Sequence, residues 1–488
     1  MLAYIYQALG SFRSVFSRSS TWLLFCMVVL GFLGAVDIIG ISSFCRFWGV
    51  GENLYHSFLN FFHSSAWSLD TLIFCWTSFV VSQNEMVKVQ GRVVLLRDHT
   101  SVPKDGRRMP GVVTLKQDSE AQTKPSYFRG HFWGAISMLV GTLAAPFALP
   151  LSLKLHQGQI HIGQETEDEK NNQTQGARLV QMAIDFAVRH GLPCILTLDA
   201  YFPSAAVFLL AASVWSIQLR QPLVTLIIKA KKNCVAYFEA ERSTEPGPGR
   251  PPKYGQKVKL MELFDHKHMF SKATCLIYGK MEEVSIGAFD LIWEPTDCLI
   301  RFVLALTSYG PIVLMCSDLA QDPCTALQLY CTKIRIEIMF DVLKNLLKAF
   351  CYRFWSKLMP LHSRRPKKNT NLTKPASDCL PNVKSCWEAC ERFMMLAAIA
   401  QGLLQLLSLK FKNSIWSQCD FFLRTQSRTL PSERTVKQLI AHQLMVDIFF
   451  SFAPGAIIQT IRERYLGKKF PLKHAHSSPI PDLLRASG

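Results

Sequence analysis

Six side chains in this 488-residue chain have types and spacings that suit phosphate chemistry: Asp98, Asp199, Tyr330, Lys333, Glu337 and Lys344. Asp98 ends a strand-like run that includes Val93-Val94-Leu95-Leu96, and Asp199 follows Cys194-Ile195-Leu196-Thr197-Leu198. A carboxylate carried to the end of a buried strand is costly unless a cation or a hydrogen-bond donor compensates it. Glu337 lies on an amphipathic stretch. At about 100° per residue, Tyr330, Lys333, Glu337 and Lys344 share about 60° of arc, beside an apolar stripe of Leu329, Ile336, Phe340, Leu343 and Leu347. Taken singly, each member has a plainer reading: a strand-end Asp is a turn former, and a helical Glu is a solvated surface residue. The conjunction carries the argument. Three clustered carboxylates repel one another and hold their protons unless a cation neutralises them. Hard oxygen donors suit Mg²⁺ or Mn²⁺, and two such ions about 3.5–4 Å apart activate the attacking oxygen and stabilise the leaving one of a phosphodiester. Lysines and a tyrosine beside them grip phosphate oxygens.

The elements that must position these residues follow from the patterning. Residues 1–85 read as helical, with aromatics at helical spacing in Leu54–Phe62. Gly91–Asp98 and Tyr127–Val140 read as strands, 165–176 as a polar loop, Ala177–His190 as an amphipathic helix closed by Gly191 and Pro193, and Pro193–Asp199 as a strand. From 220 to 308 the character changes to short β-like runs at Leu223–Ala230, Cys234–Ala240, Lys257–Phe264, Ala273–Tyr278 and Ile300–Thr307. A further strand, Pro311–Ser317, leads to one long helix over Pro323–Phe350, with Asp322 as N-cap and Pro323 at N1. Helical runs near 385–410 and 432–450 complete the chain before a polar tail. The strand–strand–helix–strand unit holding both aspartates is thus separated from the unit holding Glu337 by a β-rich block, which predicts an α/β core interrupted by a second domain.

Composition narrows the class of partner. Lys plus Arg exceed Asp plus Glu by 54 to 36, a formal charge of +18. That surplus favours nucleic acid or an anionic membrane surface. The 15 cysteines contain no C-x-x-C pair and read as reduced core residues of a cytosolic protein, not as a disulfide frame or zinc site. Two apolar runs, Trp22–Ile41 and Trp133–Leu153, reach the length needed to span a bilayer. The first contains Asp37 and the second Pro146 and Pro150, and the surrounding segments alternate like β-structure, so core is the expected reading and no membrane partner is expected.

With these residues in hand, the chain resembles the DDE transposases of bacterial insertion sequences, of the insertion-sequence-four type. That type carries Tyr, two residues, Arg, three residues, Glu, six residues and Lys; Tyr330, Lys333, Glu337 and Lys344 stand at every one of those spacings, with Lys333 in place of the arginine. Lysine keeps the charge and loses the bidentate fork. Arg97-Asp98-His99-Thr100-Ser101-Val102-Pro103-Lys104-Asp105-Gly106 resembles the segment of the first catalytic aspartate, Gly130–Gly134 the next core strand, Leu198–Ser204 the second-aspartate motif, and Cys316–Pro323 the lead into the glutamate helix. The resemblance covers about residues 50–350.

What the resemblance implies is a ribonuclease-H-like catalytic core interrupted by a β-strand-rich insertion domain, with helical N- and C-terminal regions. The corresponding plan is a helical DNA-binding or dimerisation region over 1–88, core over 89–219, insertion over 220–308, core with the Glu helix over 309–356, a basic linker over 357–383, and a helical region and tail over 384–488. It implies Asp98, Asp199 and Glu337 as catalytic ligands of Mg²⁺ or Mn²⁺, two ions in all. It further implies cleavage at terminal inverted repeats of double-stranded DNA and joining of the freed 3′-OH to target DNA by a homodimer in the nucleoid-containing cytoplasm. The DNA-contact candidates are Tyr330, Lys333, Lys344 and Lys104, then Arg250 in the Pro246–Lys253 segment, and Trp293 as an aromatic that could grip a flipped base. A basic run from Lys344 through Lys348, Arg353 and Lys357 to Lys368 adds phosphate-binding charge. Two other readings stay open: a domesticated DNA-binding protein with weakened catalysis, and a polytopic membrane protein.

Overall fold

The computed structural model describes residues 1–116, 126–163, 175–217, 220–240, 252–363, 375–419 and 429–467. The helical N-terminal region includes α1 (Ser19–Gly34), α2 (Glu52–His63) and α3 (Leu69–Ser82). Helix α1 is apolar on every side, and residues from Leu23 to Leu33 are buried along its whole circumference. Such a helix is stable only when wrapped by other elements.

Five strands form the centre of the sheet: β1 (Arg92–Pro103), β2 (Tyr127–Gly141), β3 (Pro146–Leu155), β4 (Cys194–Leu198) and β5 (Val224–Lys229). Their spatial order is β3-β2-β1-β4-β5. The pairs β1–β2 and β2–β3 are antiparallel; β1–β4 and β4–β5 are parallel. Parallel neighbours need a crossover, and α4 (Gln175–His190) lies between β3 and β4, burying Leu179, Val180, Ala183, Ile184 and Ala187. The uncharged run Trp133–Leu153 is the β2–β3 hairpin. Its strands are buried on both faces, which accounts for the absence of charge along the run.

Four more strands extend the sheet: β6 (Ser271–Ile277), β7 (Lys280–Trp293), β8 (Cys298–Thr307) and β9 (Gly310–Cys316). Strand β9 pairs antiparallel with β5, registering Leu314 with Lys229 and Cys316 with Ile227. The order then continues through β8 and β7, so a single mixed sheet of 13 strands runs from the aspartate strands into the β-rich block. The segment Leu223–Ala230, expected at the start of the insertion, is the parallel neighbour of β4 in the sheet centre. Cys275 in β6 and Cys324 form a disulfide, where reduced thiols alone were expected. They are 49 residues apart on different elements, a separation that leaves no local pattern to read.

The expected long helix is broken into pieces. Helix α5 (Pro323–Cys331) starts as the sequence suggests, with Asp322 accepting from the Thr325 amide at 2.8 Å and Pro323 in the first turn. The chain tightens at Thr332, whose hydroxyl donates to the Leu329 carbonyl at 2.6 Å while the Lys333 amide reaches the Tyr330 carbonyl. Helix α6 (Ile334–Asp341) follows, then a π-helical turn over Val342–Leu346, and Lys348 in the left-handed region at φ 52°.

Helix α7 (Leu380–Lys410) is long and apolar enough to cross a membrane, with an 18-residue window of mean hydropathy 1.5, yet 89% of that window is buried inside the protein. It packs on β3, α1 and α2, and α8 (Glu433–Met445) packs on α1. Where α7 meets α3, Gly402 is required by close approach: a Cβ there would lie 2.3 Å from the Trp76 ring. The N- and C-terminal helices therefore form one layer. Arg392 donates to the Phe62 and Ser64 carbonyls at 2.8 and 2.6 Å, and the Lys437 ammonium to the Ala35 carbonyl at 2.6 Å.

Candidate active site

Register alone brings the two aspartates together. Leu96 on β1 is level with Thr197 on the parallel strand β4. Two residues further along each chain lie Asp98 and Asp199. Equal offsets from a paired position put both side chains on the same face of the sheet, about 4.8 Å apart at the backbone. Each carboxylate is oriented locally: one oxygen of Asp98 accepts the His99 amide at 2.8 Å, and one oxygen of Asp199 accepts the Ala200 amide at 2.7 Å. The second oxygens face Lys333, whose ammonium is 2.7 Å from Asp98 and 3.6 Å from Asp199.

Helices α5 and α6 cover this face. The tight turn between them points Lys333 down at the aspartates and leaves Glu337 one turn further on, half open to solvent. Burial raises the Glu337 carboxyl above the ordinary range; Lys333 opposes that rise, and Asp98 and Asp199 add to it. For Lys333, burial pulls downwards, but Asp98, Asp199 and Glu337 together outweigh it and hold the ammonium above its ordinary value. Tyr330 is buried, hydrogen-bonded to Asp199, and its phenol is pushed up by burial and by that carboxylate. The Lys344 ammonium reaches the Thr100 hydroxyl at 2.5 Å. Thr100 is two residues beyond Asp98 on β1, so it shares the aspartate's face. The π-helical turn carries Lys344 to that point. All six chemistry-bearing side chains singled out in the sequence therefore gather along one edge of β1 and β4.

Three groups beside the cluster were not anticipated. Lys229, at the end of β5, lies 5.9 Å from the Tyr330 ring centre. Tyr278 occupies the two-residue turn between β6 and β7 at φ 46°; burial is the main cause that raises its phenol, with Glu337 and Asp199 among the smaller ones. The Tyr278-Gly279 pair between alternating strands was the available signal for that turn. On the opposite face of β1, His99 Nε2 and His156 Nδ1 are 2.9 Å apart, and His99 stacks on Phe132. Burial, then Arg97 and Arg178, push His99 down to about 3, so this imidazole is neutral at physiological pH.

The remaining candidates are elsewhere. Lys104 is buried; its ammonium donates to the Phe350 and Tyr352 carbonyls at 2.5 and 3.1 Å and sits 3.5 Å over the Tyr352 ring. Burial lowers it to about 8. It ties the end of β1 to the segment after α6. Trp293 closes β7, is 8% exposed and packs against Phe208 at 5.3 Å between ring centres, a core tryptophan and not an open platform. Arg250 lies outside the described residues, as do Arg364, Arg365, Lys367 and Lys368 of the basic run.

Among the described residues, no three His, Cys, Asp or Glu side chains stand as a ready-made metal cage. The point between the aspartates is held by the Lys333 ammonium. The donor set nonetheless suits a hard divalent ion: three carboxylates against one buried lysine leave excess negative charge, and every donor is oxygen. Asp98, Asp199 and Glu337 are the residues that could hold it. No family model matches this chain, and no curated protein matches it.

Proposed function

We propose that the chain is a metal-dependent DNA transposase of the DDE type, built on a ribonuclease-H-like core. The observation that carries this reading is the level placement of Asp98 and Asp199 on parallel neighbours with Lys333 and Glu337 over them. The central order β3-β2-β1-β4-β5, with only β2 antiparallel to its neighbours β1 and β3, supports the core assignment.

In this reading Asp98, Asp199 and Glu337 hold Mg²⁺ or Mn²⁺. The bound ions supply Lewis acidity at the attacking and leaving oxygens of an in-line displacement. The chain's own residues do the rest. Lys333 neutralises the aspartates until the site is loaded, and then has a phosphate oxygen as its natural partner. Lys344, fixed on Thr100, and Lys229 add positive charge along the cleft and set the backbone register of the substrate. Tyr330 fixes the Asp199 carboxylate. Water attacks a phosphodiester at the transposon end and releases a 3′-OH; that hydroxyl then attacks target DNA, breaking one P–O bond as another forms. The partners are double-stranded DNA carrying terminal inverted repeats, target DNA and a second copy of the chain, in the cytoplasm with the nucleoid.

One observation favours the weaker alternative of a DNA-binding protein with reduced catalysis: the lysine at 333 occupies the aspartate gap where an arginine would reach outward with a planar fork. Nicking of supercoiled DNA carrying the flanking genomic ends, with and without Mg²⁺, separates the two. Alanine at Asp98, Asp199 or Glu337 should abolish cutting and leave DNA retention intact. Cutting at wild-type rate by those variants would remove the ligand assignment. Retention without cutting by the wild-type chain, restored by Lys333→Arg, would favour the alternative.

A further inference from the structure

A cavity of about 730 Å³ opens where the end of β1 meets the segment after the π-helical turn. Its lining includes Arg107, Arg108, Arg353 and Trp355, with Asp105 as its acidic member among the described residues. Trp355 is 56% exposed, while its neighbours Tyr352 and Phe354 are buried in the core. Tryptophan is rarely left this open. Arg107 and Arg353, which line the same cavity as this ring, are both exposed.

The walls are fixed. The His362 amide donates to the Arg107 carbonyl at 3.0 Å and the Ser356 amide to the Arg108 carbonyl at 3.1 Å. Arg107 Nε returns to the His362 carbonyl at 3.1 Å, Arg108 bonds the Lys357 carbonyl, and buried Lys104 pins the Phe350 and Tyr352 carbonyls. The groove is therefore a built feature of two crossed segments. Pro103 lies five residues beyond Asp98 on the same strand, about 16 Å away, the length of about five stacked nucleotides.

We infer that this groove binds an unpaired DNA strand leaving the carboxylate cleft, with one base stacked on Trp355 and its phosphates against Arg107 and Arg353. Charge selects the polyanion. The exposed ring selects an unpaired base, because a base held in a duplex has no free face to offer. A space of this volume is of the size that takes a small ligand such as a nucleotide. The inference deepens the proposed function by naming the strand state its site handles.

The test is fluorescence anisotropy in EDTA with a labelled mixed-sequence single strand and its matched duplex. Trp355→Ala should weaken single-strand binding by about 5- to 100-fold, the range of one lost base stack. Trp355→Phe should retain most of the affinity. Duplex affinity should stay within about twofold of wild type for Trp355→Ala, because phosphate contacts persist without the ring. The double variant Arg107→Ala/Arg353→Ala should weaken single-strand binding and flatten its salt dependence. Unchanged single-strand affinity in Trp355→Ala, with unchanged melting, would overturn the groove. A parallel nicking assay keeps the two claims apart. Nicking with no Trp355 effect removes only the groove; Trp355-dependent strand binding with no nicking by the wild-type chain removes only the enzyme reading.

Discussion

Lys333 is the residue on which the electrostatics of the cleft turn. Its folded-state value lies above its ordinary one, so its stabilising contribution is fully present below the unfolded value and is lost only as pH rises through the folded value. At neutral pH the ammonium is therefore a net support, and Lys333→Ala in metal-free buffer should cost about 1–2 kcal/mol, below the usual loss for a fully buried pair because Asp199 is half exposed. A divalent ion replaces the missing charge, so Mg²⁺ should raise the melting temperature of Lys333→Ala more than that of wild type. Equal shifts would mean that the ion does not enter the aspartate gap. Glu337 has the opposite sign of benefit. Its carboxyl is raised, chiefly by burial, so its favourable contribution is present at low pH and lost as pH rises through the folded value. Glu337→Gln should thus melt higher than wild type in EDTA at neutral pH and gain nothing from Mg²⁺.

At the scale of elements, the sequence spoke through periodicity and was silent about long-range pairing. Aliphatic runs marked β1 and β4, and equal offsets from the Leu96–Thr197 pair put the aspartates level, although β1 runs on past Asp98 to Pro103 instead of ending there. The helical wheel grouped Tyr330, Lys333, Glu337 and Lys344, and all four do meet the aspartate face, although the element is two short helices and a π-helical turn instead of one continuous helix. A local 3₁₀-like tightening at Thr332 and one widened turn at 342–346 leave no compositional mark, so spacing was legible and the breaks were not. The pairing of β9 with β5, the Cys275–Cys324 bond and the burial of Lys104 depend on partners far along the chain, which no window of neighbours reveals. Gly402 shows where an element rule yields to packing. Alanine is favoured over glycine in a helix by about 1 kcal/mol. Yet the added methyl would meet the Trp76 ring, itself held by a 2.8 Å bond from its indole nitrogen to the Pro150 carbonyl. Overpacking costs about 1–3 kcal/mol, so Gly402→Ala should lower stability in chemical denaturation. A gain would mean that α7 and α3 separate easily.

For the whole molecule, the terminal regions are not appendages. Helix α7 has membrane-like hydropathy and is covered by α1, α2 and β3. A chain lacking residues 1–88 would expose that surface and strip the buried Arg392 guanidinium of the Phe62, Ser64 and Trp67 carbonyls it now bonds. It should aggregate or bind hydrophobic dyes strongly, and a soluble, cooperatively melting product would show that the N-terminal helices are a separable module. Arg392→Ala is the gentler form of the same test. It leaves the Phe62 and Ser64 carbonyls short of a donor and should cost about 1–3 kcal/mol without altering metal-dependent behaviour.

On the proposed function, Asp98, Asp199 and Glu337 act as one divalent-cation site. Titration of the wild-type chain with Mn²⁺, followed by the electron paramagnetic resonance signal of the free ion, reads that site without DNA or catalysis. The account predicts one or two ions withdrawn per chain by wild type, and weak or no uptake by Asp98→Asn and Asp199→Asn variants that melt like wild type. Uptake identical in wild type and both variants, or no uptake by wild type, would contradict it.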